Sequence, residues 1–182
     1  MADQNTAPAG PAPGATEGPG LPEAPRLLIE AQYVKDLSFE QPNAPASLMP
    51  SDKRPDIKVG VEARARLVKE GSYELELLIK AEARRAEEIL FLVDLTYGGV
   101  ITVQNVRAEM LQPVLLIEGP RLLFPFARRV IADVTRDGGF PPLMLSPIDF
   151  VELYRKNAMA RARQDTGPAS AIGPDGKPLI SS

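Results

Sequence analysis

Between residues 73 and 82 the chain reads Tyr73-Glu74-Leu75-Glu76-Leu77-Leu78-Ile79-Lys80-Ala81-Glu82, apolar at the odd positions and mostly charged at the even ones. A period of two places Tyr73, Leu75, Leu77 and Ile79 on one face of a half-buried strand. Residues 56–69 alternate in the same way, with Ile57, Val59, Val61, Ala63 and Ala65 set against Lys58, Glu62, Arg64 and Arg66. The short Gly-containing link Glu70-Gly71-Ser72 joins the two as an antiparallel hairpin. Residues 87–106 form a third long strand, in which Gly98-Gly99 is expected to make a tight turn or bulge. An earlier strand over residues 27–39 ends before Pro42 and Pro45, which forbid its continuation. Four antiparallel strands predict a meander-like sheet with one crossing connection.

After Arg107 the period changes. Met110, Val114 and Ile117 predict a short helix, and Gly119-Pro120 is expected to break the chain and restart a longer one. There Leu123, Phe126, Val130 and Val134 form one stripe, and Gly138-Gly139 stops the helix. Residues 140–147 read as an extended apolar connector ending at Ser146, an expected N-cap with Pro147 at the first helical position and Asp149 in the first turn. The last helix then runs through Phe150, Leu153 and Tyr154 to about Arg163. Strands first and helices after give an α+β fold: a four-stranded antiparallel sheet followed by helices packed on one face.

The strand over residues 88–97 breaks the simple pattern. Ile89, Phe91, Val93, Leu95 and Tyr97 make one uniformly apolar face, while the other reads Glu88, Leu90, Leu92, Asp94 and Thr96. Leu90 and Leu92 are either ordinary exposed leucines or a partner-docking patch rimmed by acids.

Composition sharpens this picture at three points. Six of the 19 prolines fall in residues 1–25 among glycines and alanines, and residues 165–182 have the same character, so both ends read as disordered tails around a domain at 26–164. One of the 21 bases and five of the 24 acids lie in those tails, leaving 20 bases against 19 acids in the domain. A near-neutral domain with 5% aromatic residues and no Trp argues against a nucleic-acid partner. No apolar run approaches a membrane span, so no direct membrane insertion is expected and the chain is expected in the cytoplasm.

The chain has no Cys and no His, which excludes disulfides, Cys/His metal sites and His-dependent nucleophilic triads. No phosphate-binding glycine loop is present, and Glu87-Glu88 on a strand would point to opposite faces. Asp133 and Asp137, beside Arg129 and Arg136, read as a solvated helix face. No catalytic residue, metal or cofactor is expected, and the chain is read as a non-enzyme.

Three segments together carry a resemblance. Tyr33-Val34-Lys35-Asp36-Leu37-Ser38-Phe39-Glu40-Gln41-Pro42-Asn43-Ala44-Pro45, then Gly98-Gly99-Val100, then Leu122-Leu123-Phe124-Pro125-Phe126-Ala127-Arg128 continuing to Gly139-Phe140-Pro141-Pro142-Leu143-Met144-Leu145-Ser146-Pro147-Ile148-Asp149-Phe150, resemble the SecB protein-export chaperones in content, order and spacing. The match covers about residues 27–154. It implies a homotetramer, a dimer of dimers, acting as an ATP-independent holdase that binds unfolded secretory precursors and delivers them to the SecA motor.

By the same resemblance, Asp36, Glu40, Leu92 and Asp94 contact SecA, and Phe91, Val93, Leu95 and Tyr97 serve assembly and chaperone function. The substrate groove falls to Leu48 and Met49 in the crossing loop and to Ile57, Val59 and Val61 on the second strand. Each of those strand positions also reads as plain core. Two departures stand out: the loop at residues 48–55 lacks the aromatic residue common in the family, and the domain lacks the family's strong acidity, which weakens long-range steering toward a basic partner. The alternative reading is a non-enzymatic adaptor, or a structural oligomer, that binds one folded partner through its sheet face.

Overall fold

The computed structural model describes residues 24–165. The tail assignments at 1–25 and 165–182 therefore lie outside the described residues, apart from positions 24, 25 and 165. The strands are β1 (Arg26–Glu40), β2 (Asp56–Lys69), β3 (Ser72–Arg85) and β4 (Glu88–Gln104). They form one antiparallel sheet in the order β1-β4-β3-β2, so β2, β3 and β4 make a meander and the link from β1 to β2 crosses the end of the sheet. That link contains one 3-10 turn, Ala46–Leu48, and three polar anchors hold it. Gln41 Nε2 donates to the Gly138 carbonyl at 2.9 Å, Asn43 Nδ2 to the Ile89 carbonyl at 3.0 Å, and Arg85 Nη2 to the Ser47 carbonyl at 2.9 Å.

The alternation read in β3 is present: Leu75, Leu77 and Ile79 are fully buried, and Tyr73 at the strand's start is half-buried. Five expectations about the strands and helices need correction. Gly98 and Gly99 lie within an unbroken β4 and make no turn or bulge there. They are small because neighbours occupy the space on each face: a Cβ at Gly98 would lie 2.7 Å from Tyr33 Cε2, and one at Gly99 would lie 2.8 Å from Leu123 Cδ2. The irregularity of β4 is at Leu90 instead. Ala83 pairs with Phe91 and Arg84 with Ile89, leaving Leu90 as the extra residue of a bulge. Leu90 is thereby turned into the core beside Phe91 and is not part of the open face.

The helices are α1 (Ala108–Pro113), α2 (Gly119–Asp137) and α3 (Phe150–Asp165), with one π turn at Val114–Glu118 between the first two. Gly119-Pro120 does not break the chain, because Gly119 keeps helical angles. Proline crowds the carbonyl four residues back, here Leu116, and that carbonyl sits in the widened π turn. Gly119 also lets the helix approach β3, since a Cβ there would lie 2.7 Å from Leu75 Cδ2.

The buried stripe of α2 runs Leu123, Ala127, Ile131 and Thr135, with Phe124 alongside. The expected stripe through Phe126 is therefore displaced: Phe126 is exposed, and Val130 and Val134 flank the core. At the other end, the helix cap is Asp149 rather than Ser146. Its Oδ1 accepts from the Val151 and Glu152 N–H groups at 2.9 and 3.0 Å, and these bonds, Glu152 first, hold its carboxyl below the usual range.

One helix cannot cover this sheet. Four strands about 4.8 Å apart place β1 and β2 roughly 14 Å from each other, whereas a helix with its side chains is about 10 Å wide. The centre of the helix-side face is sealed. Its two margins are not: Val34 and Leu37 on β1, and Ile57 and Val59 on β2, pair with buried residues yet are at least 40% exposed.

Candidate functional site: an apolar cleft beneath β2 and an open polar sheet face

The cleft forms where the β2 margin meets the connector. Val59 and Val61 line one side; Leu143, Met144, Ile148 and Leu153 line the other, around a volume of about 460 Å³. The connector is fixed in place because Thr135, fully buried on α2, accepts the Leu143 N–H at 2.9 Å while donating to the Ile131 carbonyl at 2.9 Å. Leu145 and Phe150 anchor it from below as core residues. The cleft is thus an apolar surface held open by a polar fastening behind it.

Of the residues expected in a groove, the structure brings Val59 and Val61 together here. Ile57 continues the same row of β2 but is not part of the cleft lining, and neither are Leu48 and Met49. Those two are exposed in the crossing loop, with Leu48 Cδ2 against Gly139 and the Met49 carbonyl accepting from Arg85 Nη1 at 3.3 Å. The connector's contribution was missed, although its run of apolar residues between prolines was the available signal.

Among the described residues, no helix lies over the β4 and β1 positions of the opposite face of the sheet. Pairing registers Glu40 directly across from Leu92, Ser38 from Asp94 and Asp36 from Thr96. Asp36, Glu40, Leu92 and Asp94 therefore share one face at one end of the sheet. Leu92 is half-buried between Glu40 and Glu82 in its cross-strand row. Asp94 is paired with Lys80 at 2.6 Å. By contrast Phe91, Val93, Leu95 and Tyr97 point to the helix side and are buried within the single chain, with Phe91 against Phe39 and Phe140 at ring-centroid distances of 5.9 and 5.0 Å.

One cluster on the open face had no sequence signal, because Glu74 sits at an ordinary polar position of an alternating strand. It is 4% exposed. Tyr33 reaches over Gly98 to donate its hydroxyl proton to Glu74, Lys35 Nζ lies 2.9 Å from Glu74 Oε1, and Arg66 donates to Oε2. The tyrosine hydrogen bond first, then Lys35, hold the Glu74 carboxyl at about 2, and the same bond raises the Tyr33 hydroxyl. The cluster ties β1, β3 and β2 across the sheet.

Asp133 makes solvated ion pairs with Arg129 and Arg136 at 3.9 and 3.0 Å, as its helix face suggested. Among the described residues no group of three or more acids is placed to hold a metal ion, and no helix is long and apolar enough to cross a membrane.

An antiparallel sheet with a narrow helical layer, uncovered apolar margins and an apolar cleft defines an α+β protein that leaves a sizeable apolar surface open. The chain belongs to the SecB family of protein-export chaperones: the family described as preprotein translocase subunit SecB matches residues 21–161. Protein-export protein SecB of Rhodopseudomonas palustris (strain TIE-1) is 50% identical over 157 residues, which is 85% of this chain and 99% of that protein. Its counterpart in Maricaulis maris (strain MCS10) is 46% identical over 172 residues, covering 91% and 99%. A solved Mycobacterium tuberculosis SecB-like chaperone, in complex with a peptide from an antitoxin, shares the fold with a TM-score of 0.57 at 14% identity, over 68% of this chain and 91% of that one.

Proposed function

We propose that this export chaperone is an ATP-independent holdase, not an enzyme, that captures unfolded secretory precursors in the cytoplasm, keeps them translocation-competent and passes them to SecA. The observation that carries the reading is the row of exposed apolar residues on β2, Ile57 and Val59 at 40% and 44%, above a cleft whose far wall is also apolar. An unfolded chain offers apolar side chains until it folds, and an exposed, rigid apolar surface captures them without chemistry. Leu48 and Met49 extend this surface from the crossing loop, and Met suits irregular ligands because it is unbranched and polarizable.

SecA docks on the opposite face through Asp36, Glu40, Leu92 and Asp94, so cargo and motor do not compete for one surface. Phe91, Val93, Leu95 and Tyr97 act indirectly, by fixing the sheet on which both surfaces are built. The working form is a homotetramer, a dimer of dimers. The β1 margin supports this: Leu28, Val34 and Leu37 are exposed on an edge strand, Phe126 is exposed on α2, and the buried Gln32 Oε1 and Arg128 Nε lack partners among the described residues.

Native mass measurement and size-exclusion capture test the proposal together. The expected result is a tetramer that retains a chemically unfolded secretory protein and not its folded form. Retention of the folded form alone would favour a single-partner adaptor.

A further inference from the structure

Methionine is ordinarily among the more buried residue types. Here Met49, Met110, Met144 and Met159, the methionines among the described residues, are 59%, 50%, 60% and 63% exposed. The sequence has no cysteine, so oxidation at sulfur can fall only on thioethers. Of the four, Met144 lines the cleft beneath β2, in the company of Val59, Val61, Ile148 and Leu153.

We propose that Met144 is a reversible oxidation site through which a hydroperoxide weakens capture of apolar segments in the cleft; the proposal rests on that cleft being a substrate groove. The sulfur lone pair attacks one oxygen of hydrogen peroxide, the S–O bond forms as the O–O bond breaks, and the departing hydroxide is protonated to water. Sulfur loses two electrons and the peroxide gains them. A dithiol-dependent sulfoxide reductase restores the thioether, its two thiols closing to a disulfide as the oxygen leaves as water.

The consequence is local. Leu143 N–H is bonded to Thr135 and Leu145 is buried, so the connector keeps its path while the side chain between them turns polar. An apolar ligand then covers a strong acceptor with no donor, which weakens binding roughly tenfold. Met49, Met110 and Met159 lie outside the lining and leave the cleft wall unchanged when oxidised.

The test uses the full chain and reduced, S-carboxymethylated α-lactalbumin as the probe. A Met49→Leu/Met110→Leu/Met159→Leu variant, treated with hydrogen peroxide until mass spectrometry locates the sulfoxide at Met144, is expected to bind roughly tenfold more weakly and to recover on enzymatic reduction. Adding Met144→Leu to that variant is expected to abolish the peroxide-induced loss, each protein being compared with its own untreated form. Undiminished binding by the oxidised triple variant, or an equal peroxide-induced loss once Met144→Leu is added to it, overturns the proposal. Unoxidised Val59→Asp, with folding checked by circular dichroism, separates the two levels. If it captures the probe normally, the groove reading itself fails; if it loses capture while Met144 oxidation is silent, only the oxidation site fails.

Discussion

Replacing Val59 by threonine keeps a β-branched side chain of the same shape on β2 and changes only its polarity. Val59 is 44% exposed on the helix-side margin of the sheet and forms part of the cleft wall. Burying a whole valine side chain is worth roughly 1.5–3 kcal/mol. A ligand that covers the exposed share of Val59 therefore gains about 1 kcal/mol from this residue, or about fivefold in Kd. The expected result of isothermal titration with an unfolded model protein is a Kd weakened by about that factor, with the urea unfolding midpoint little changed. Lys58→Gln is the control, because Lys58 pairs with Glu82 on the opposite face of the same strand. An unchanged Kd for Val59→Thr together with a weakened one for Lys58→Gln would refute the reasoning and move the substrate to the charged face.

Glu74, held at about 2 by Tyr33, Lys35 and Arg66, stabilises the fold fully above the ordinary carboxylate value of 4.5 and loses that contribution as the pH falls toward 2. The stability gap between the wild type and Glu74→Gln is therefore expected to narrow from pH 7 to pH 3 in urea titrations; a constant gap contradicts the cluster's role. Gly98→Ala forces a Cβ into the Tyr33 ring and is expected to cost about 1–3 kcal/mol by denaturant unfolding, whereas Gly60→Ala, with nothing within 4 Å of its Cβ, is expected to be neutral or slightly stabilising. The proposed docking of SecA on the open face predicts that Leu92→Ala weakens it at both low and high salt, while Asp94→Ala matters less because Lys80 already neutralises that carboxylate. A steep salt dependence with no loss for Leu92→Ala would place the docking energy in net charge instead.

The sheet was legible because alternation is a property of neighbouring residues: the buried row of β3 and the two faces of β4 follow from period two alone. The failures came where distant side chains decide the local shape. Gly98 and Gly99 carry the residue type of a turn, yet each is a vacancy filled by a side chain 65 positions before Gly98 or 24 after Gly99, Tyr33 on one face and Leu123 on the other. Leu90 reads as a member of the polar face, and only the count of partners on β3 reveals the bulge that turns it inward.

The same distinction divides the candidate site. The open-face residues Asp36, Glu40, Leu92 and Asp94 come together by strand register, which alternation constrains once the pairing is known. The cleft cannot be read that way, because its two walls are β2 and a connector more than 80 residues later, and that connector is fastened to α2 through the hydroxyl of a threonine that the sequence gives no reason to single out. Its width follows from one helix being too narrow for four strands. A family resemblance can nominate Val59 and Val61, but the connector residues opposite them are what make those positions a groove rather than an exposed edge. A variant set confined to β2 and the crossing loop would therefore test only half of the proposed binding surface; Leu143, Met144 and Ile148 are the residues that complete it.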